Sequence, residues 1–133
     1  MHRVLKIGRW VVDFIFVVND YDIEGTLGCL YDCEARNADL RRAEEIMENG
    51  KLNCGFTFSN PDIFRAVVVI GPTSSGAEFV DTFTHEIHHL AVNIAAELGI
   101  DLESETPAYI AGDSARALAD AVCTMGCQCC RHE

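Results

Sequence analysis

The residues of this chain best suited to chemistry stand together as His85-Glu86-Ile87-His88-His89. Two histidines four positions apart share one side of a helix, one turn above the other. Imidazoles in that relation can both reach one zinc ion through Zn–N bonds of about 2.0–2.1 Å. Glu86 follows the first histidine and points beside such an ion, where it can take a proton from a zinc-held water. His88 lies off the centre of the pair and is not expected to ligate. A third protein ligand is usual, and Glu103-Ser104-Glu105-Thr106-Pro107 offers carboxylates downstream. Glu105 is favoured, Glu103 comes next, and Asp113 is a more distant choice. The competing reading is that both glutamates only decorate a helix N-terminus, where negative charge is favourable. Asp81, one turn before His85, is placed to orient that imidazole as an acceptor.

These residues need elements to hold them. Ser75-Gly76-Ala77-Glu78 has the S-x-x-E spacing of a capping box, and Gly99 supplies a stop, which predicts a helix from about Gly76 to Leu98. At about 100° per residue, Phe79, Phe83, Ile87, Leu90, Ile94 and Leu98 form one apolar face. His85 and His89 fall nearly opposite it. A histidine on a helix is more often simply solvated; here a cap signal upstream and a separate apolar stripe give the pair the context a metal motif requires. A second helix should begin around Pro107, whose missing N–H costs little in a first turn. Its buried stripe is expected to be Ala108, Ala111, Ala115, Leu118, Ala119 and Val122, small enough for close approach to the first helix. Glu105 lies at the edge of this stripe, with Tyr109 one turn further on.

Upstream, Trp10 to Val18 is rich in β-branched and aromatic residues and reads as a strand closed by Asp20 to Asp22. Ile23 to Tyr31 fits either a short helix or an irregular connection. Glu34 to Glu48 carries strong helix formers and stops at Asn49-Gly50. Two strands, Cys54 to Phe58 and Arg65 to Ile70, flank the turn chemistry of Ser59-Asn60-Pro61-Asp62. The expectation is one α+β domain over 1–133: strands with one or two helices in 1–72, the metal helix in 73–99, a second site helix in 103–123, and a cysteine-rich tail in 124–133. A small sheet of about three strands should pack against the two site helices.

Composition bounds the partners. A net charge of −11 with only 10 Lys and Arg argues against nucleic acid. A basic Met1 to Arg9 followed by apolar residues superficially suggests a secretion leader, but Asp13 interrupts the run and no small-residue cleavage site follows. No stretch approaches the ~20 apolar residues of a membrane helix. Seven cysteines without an export signal are expected as free thiols in a reducing cytoplasm. Cys123, Cys127, Cys129, Cys130 and His132 crowd the C-terminus, but their spacing fits no standard pair of zinc knuckles. Free thiols are favoured there over a second zinc.

His85-Glu86-x-x-His89 followed by a downstream Glu resembles the gluzincin branch of the zinc metallopeptidases. The longer stretch, from Glu78-Phe79 through the histidines to Glu105-x-x-Ala108-Tyr109-Ile110-x-Gly112, looks like small peptidases encoded by bacteriophages and mobile elements. The likeness is clearest from about Asn53 to Val122. Two departures stand out: no second lobe builds a deep cleft, and Tyr109 replaces the Asp that many gluzincins place four residues after the ligand Glu. The resemblance implies a minimal zincin-like domain with Zn2+ on His85, His89 and Glu105. Glu86 would be the general base, and a peptide or protein substrate would lie along an edge strand, with Arg65 to Ile70 the expected edge. Tyr109 is the candidate donor to the developing oxyanion, against a packing role for a tyrosine at a helix edge. The implied setting is the cytoplasm of a bacterial or phage-infected cell. The alternative is a non-catalytic, zinc-stabilised module that binds a host or virion protein; Glu86 favours catalysis, and small size favours the module.

Overall fold

The computed structural model describes residues 1–127. Strands β1 (His2–Ile7), β2 (Trp10–Phe16), β3 (Gly55–Asn60) and β4 (Arg65–Ile70) form one sheet in the order β1-β2-β4-β3. β2 and β4 run parallel, and each carries an antiparallel partner on its outer side. Helices α1 (Ile23–Asp32) and α2 (Asn37–Asn49) cover one face; α3 (Gly76–Glu97), α4 (Thr106–Ala117) and α5 (Ala119–Gly126) cover the other.

Strand alternation divides the core in two. Trp10, Val12, Phe14 and Phe16 of β2 join Ala66, Val68 and Ile70 of β4 against Phe79, Phe83, Ile87, Leu90 and Ile94 of α3. The intervening Val67 and Val69 pack with Leu30, Cys33, Ala43 and Met47 beneath α1 and α2. A strand buried on both faces loses the polar alternation of a half-exposed one, hence the continuous Ala66-Val67-Val68-Val69-Ile70 run.

The α+β class holds, with two revisions. The sheet has four strands, not about three, because the basic leader-like segment is strand β1, joined to β2 through Gly8 at φ 59°. The expected edge, Arg65 to Ile70, is instead central, flanked by β2 and β3; the edge on that side is β3. The more apolar strand takes the more buried position, paired on both sides.

The helices follow local chemistry. The undecided segment is α1, started by Asp22, whose Oδ1 accepts from the Gly25 N–H at 2.9 Å. Ser75 caps α3 by accepting from the Glu78 N–H at 3.1 Å. Gly99, at φ 68°, lies just beyond the end of α3 in the left-handed conformation that glycine adopts without strain. The expected single second helix is broken at Leu118 into α4 and α5. Its buried side runs through Pro107, Ser114, Leu118, Ala121 and Met125, while Ala108 and Ala119 are exposed. Leu98 is likewise exposed, because it falls past the last turn of α3.

Candidate metal centre on the α3–β3 seam

Helix α3 sits asymmetrically on its face of the sheet. Ile110, Ala111, Ala115 and Val122 of α4 and α5 pack beside it with Leu5 and Ile7 of β1. Its other flank meets β3, the open edge. Gly55, Thr57 and Ser59 alternate toward α3, and each meets it. A Cβ on Gly55 would stand 3.0 Å from Glu86 Cγ, 3.3 Å from Thr82 Cγ2 and 2.6 Å from the Val69 carbonyl. Only glycine lets helix and strand approach this closely. Thr57 Oγ1 donates to Glu86 Oε2 at 2.7 Å and lies 3.3 Å from the Glu86 carbonyl oxygen. Asn93 Nδ2 donates to Ser59 Oγ at 3.1 Å.

The histidines stand on the solvent side of this seam. His85 Nε2 and His89 Nε2 are 3.1 Å apart, with ring centroids 4.7 Å apart. Two nitrogens bound tetrahedrally to one zinc at 2.0–2.1 Å lie ~3.3 Å apart, so this spacing suits a shared ion with only a small opening of the rings. The same distance also permits an N–H···N hydrogen bond between the rings. Glu86 is buried, and its Oε1 is 3.8 Å from His85 Nε2. With Oε2 held by Thr57, Oε1 is the oxygen presented to His85. A cleft of about 240 Å³ opens here, bordered by Asn53, Gly55, Asp81, Thr82, His85 and Glu86.

Four expected participants are elsewhere. Glu105 is exposed at the N-cap of α4. Its neighbour Thr106 lines a groove with Glu97 and Leu98 at the far end of α3 and with Ile7 to Trp10 of the first hairpin. Leu98 is nine residues past His89, about 13 Å along the helix axis, and α4 lies on the opposite flank. Among the described residues, no Asp, Glu, Cys or further His presents a ligand atom within 4.8 Å of both imidazoles. The short 98–105 connection explains this: it returns the chain beside β1 rather than over β3. Tyr109 is exposed on the same far side, lining a groove with Leu5 to Gly8, and does not reach Glu86. Glu103 and Asp113 are exposed, the latter bonded to Arg116 at 3.1 Å. Asp81 shares the cleft with His85, but among the described residues no hydrogen bond joins them. His88 is exposed, its ring 6.4 Å from that of His89.

Thr57 and Gly55 were not singled out by sequence. The one local signal is period-2 spacing of 55, 57 and 59 on a short strand, which assigns a shared face but not its partner. Of the C-terminal cluster, Cys123 is an exposed free thiol; Cys129, Cys130 and His132 lie outside the described residues. No helix among the described residues is long and apolar enough to cross a membrane. Compared with protein-family models, with curated proteins and with solved structures, the chain finds no match.

Proposed function

We propose that the α3–β3 seam is a zinc site of zincin type and that the protein hydrolyses a peptide bond in a peptide or protein substrate. The observation that carries this reading is the convergence of His85 Nε2 and His89 Nε2 to 3.1 Å beside a buried carboxylate with one oxygen already anchored. Two imidazoles and an adjacent acid suit zinc better than the oxygen-preferring magnesium or calcium. Zinc held there supplies a Lewis acid and makes water a stronger acid. Glu86 accepts a proton from the attacking water at Oε1 and returns one to the leaving nitrogen. Thr57 holds Oε2 and so fixes which oxygen does this work. The edge of β3 offers backbone donors and acceptors suited to an extended substrate lying beside the cleft. Glu105 and Tyr109 have no part in this site as it stands; His85 and His89 would hold the ion.

A second reading rests on that same vacancy of protein ligands. With only two imidazoles converging among the described residues, the site also suits a zinc-stabilised module that binds another protein, with Glu86 acting through Thr57 to tie α3 to β3.

Zinc content and cleavage of a mixed peptide library separate the readings. Wild type is expected to hold one zinc on the α3 site and to cleave. Glu86→Gln should keep the metal and lose cleavage, His85→Ala and His89→Ala should each weaken zinc at least tenfold, and His88→Ala should change neither. If wild type and Glu86→Gln both hold zinc and neither cleaves, the peptidase reading fails and the module stands. If His85→Ala leaves zinc affinity unchanged, both fail.

A further inference from the structure

On the other face of the sheet, three elements bring a second set of donors together. His2 of β1, Asp13 of β2 and Cys29 of α1 each place one ligand atom within 4.8 Å of the other two. His2 Nε2 is 2.8 Å from Asp13 Oδ1. Asp13 is a buried carboxylate between Val12 and Phe14, on a strand flanked on both sides. Burying such a charge is costly unless it is well paired. His2 pairs Oδ1 closely, but the pairing at Oδ2 is weak. Arg65 reaches only Oδ2, through one nitrogen at 3.4 Å, longer than the 2.7–2.9 Å of a charge-assisted bond. The guanidinium does not form the two-pronged contact that Arg usually makes with a carboxylate, and its Nε is buried without a partner. The ion pair is therefore poorly made, and Oδ1 is left to the His2–Cys29 side. His2 is exposed and Cys29 half-buried, which gives a path from solvent to the cluster.

We propose that His2, Asp13 and Cys29 form a second metal site, independent of the α3 histidines, selective for a borderline-soft divalent cation such as zinc. The donor set decides the class: one imidazole nitrogen, one carboxylate oxygen and one sulfur suit zinc or cobalt and not magnesium or calcium. Binding displaces the thiol proton of Cys29, so two anionic ligands balance the dication. Binding requires the His2–Asp13 contact to open by ~0.5 Å from hydrogen-bond length and Cys29 Sγ, within 4.8 Å of both, to settle at ligand spacing. The consequence is structural: the ion ties the outer strand β1 to α1, which the sheet alone does not do.

Cobalt(II) titration of the full chain tests this in a background where the other ligands are removed: His85→Ala and His89→Ala, with Cys123, Cys127, Cys129 and Cys130 changed to Ser. One equivalent is expected to bind with a thiolate-to-cobalt absorption band in the near ultraviolet. Cys29→Ser should abolish the band, Cys33→Ser should keep it, and His2→Ala should weaken binding at least tenfold. The wild-type chain provides a second measurement that does not depend on that background folding. Zinc should slow alkylation of Cys29 at least tenfold, mapped by peptide mass spectrometry. Absence of the band, its survival in Cys29→Ser, or unprotected Cys29 in zinc-saturated wild type overturns the proposal.

Discussion

Replacing Thr57 with Val keeps the shape of the side chain and removes one hydroxyl, which isolates what that hydroxyl does for Glu86. In the native seam Thr57 Oγ1 stands 2.7 Å from Glu86 Oε2, and Glu86 is only 5% exposed. A hydrogen bond to a charged group contributes about 1.5–3 kcal/mol, and the upper part of that range applies when the remaining partner is buried. The isosteric methyl leaves no room for water to substitute, so Thr57→Val should cost about 2–3 kcal/mol. For a domain of this size that corresponds to a fall in Tm of roughly 6–15 °C. Thr57→Ser, which keeps the donor, should recover most of the loss. The decisive assay is a double-mutant cycle by urea unfolding with Glu86→Met as the second change. In that background Thr57→Val should cost less than about 0.5 kcal/mol, because no carboxylate remains to be abandoned. Equal cost in both backgrounds would show that Thr57 matters only through packing, and the argument that it anchors one oxygen of Glu86 would fail.

Two other perturbations follow from particular contacts. Gly55→Ala should destabilise the fold by at least about 2 kcal/mol and weaken zinc at the α3 site, since its Cβ would meet the Val69 carbonyl at 2.6 Å and Glu86 Cγ at 3.0 Å; urea unfolding and a zinc competition assay check both, and a neutral outcome would mean that helix and strand are not closely apposed. Tyr21 Oη is buried without a partner, and burial, followed by the nearby Cys54, pushes its pKa above the ordinary 10.0. Tyr21→Phe should therefore raise stability by about 1 kcal/mol at neutral pH. The sign with pH follows from the raised value: the unfolded phenol ionises first, so the wild type loses stability as pH rises from about 10 through the folded value. The advantage of Tyr21→Phe should widen over that window; a constant gap in urea midpoints would contradict it.

The parts of the fold that sequence makes legible are those fixed by short-range chemistry. Ser75 as cap, Gly99 as stop, and the Phe79–Phe83–Ile87–Leu90–Ile94 stripe define α3 with no reference to the rest of the chain. Tertiary placement is a different matter. Glu105 sits at the start of the next helix, as its sequence context suggests, yet it stands on the other flank because the 100–105 excursion after Gly99 turns the chain toward β1. Nothing local encodes that turn direction. Tyr109 fails for the same reason, being placed by the same helix. Strand order is equally hidden: Arg65–Ile70 follows the hairpin turn directly and is the more apolar member, but its centrality depends on a parallel pairing with β2, which precedes it by some fifty residues.

Covering one flank of α3 and leaving the other open is what makes a site there at all. α4 and α5 bury the β1 side, and the Arg3–Asp120 pair, 3.1 Å apart, adds a polar tie between β1 and α5. On the β3 side no helix among the described residues continues the layer, so the imidazoles of His85 and His89 are exposed while Glu86, one residue on from His85, is drawn under the strand by Thr57. A helix alone puts residues 85, 86 and 89 about 100° and one turn apart; it cannot give them different degrees of hydration. The strand does that. An edge whose glycine permits contact and whose threonine supplies a donor turns three ordinary polar residues into two accessible imidazoles and one sheltered acid. The chemistry proposed for this protein depends on that difference more than on the motif itself, because the same five residues on a fully exposed helix would present Glu86 to water and leave it free to rotate away from the histidines.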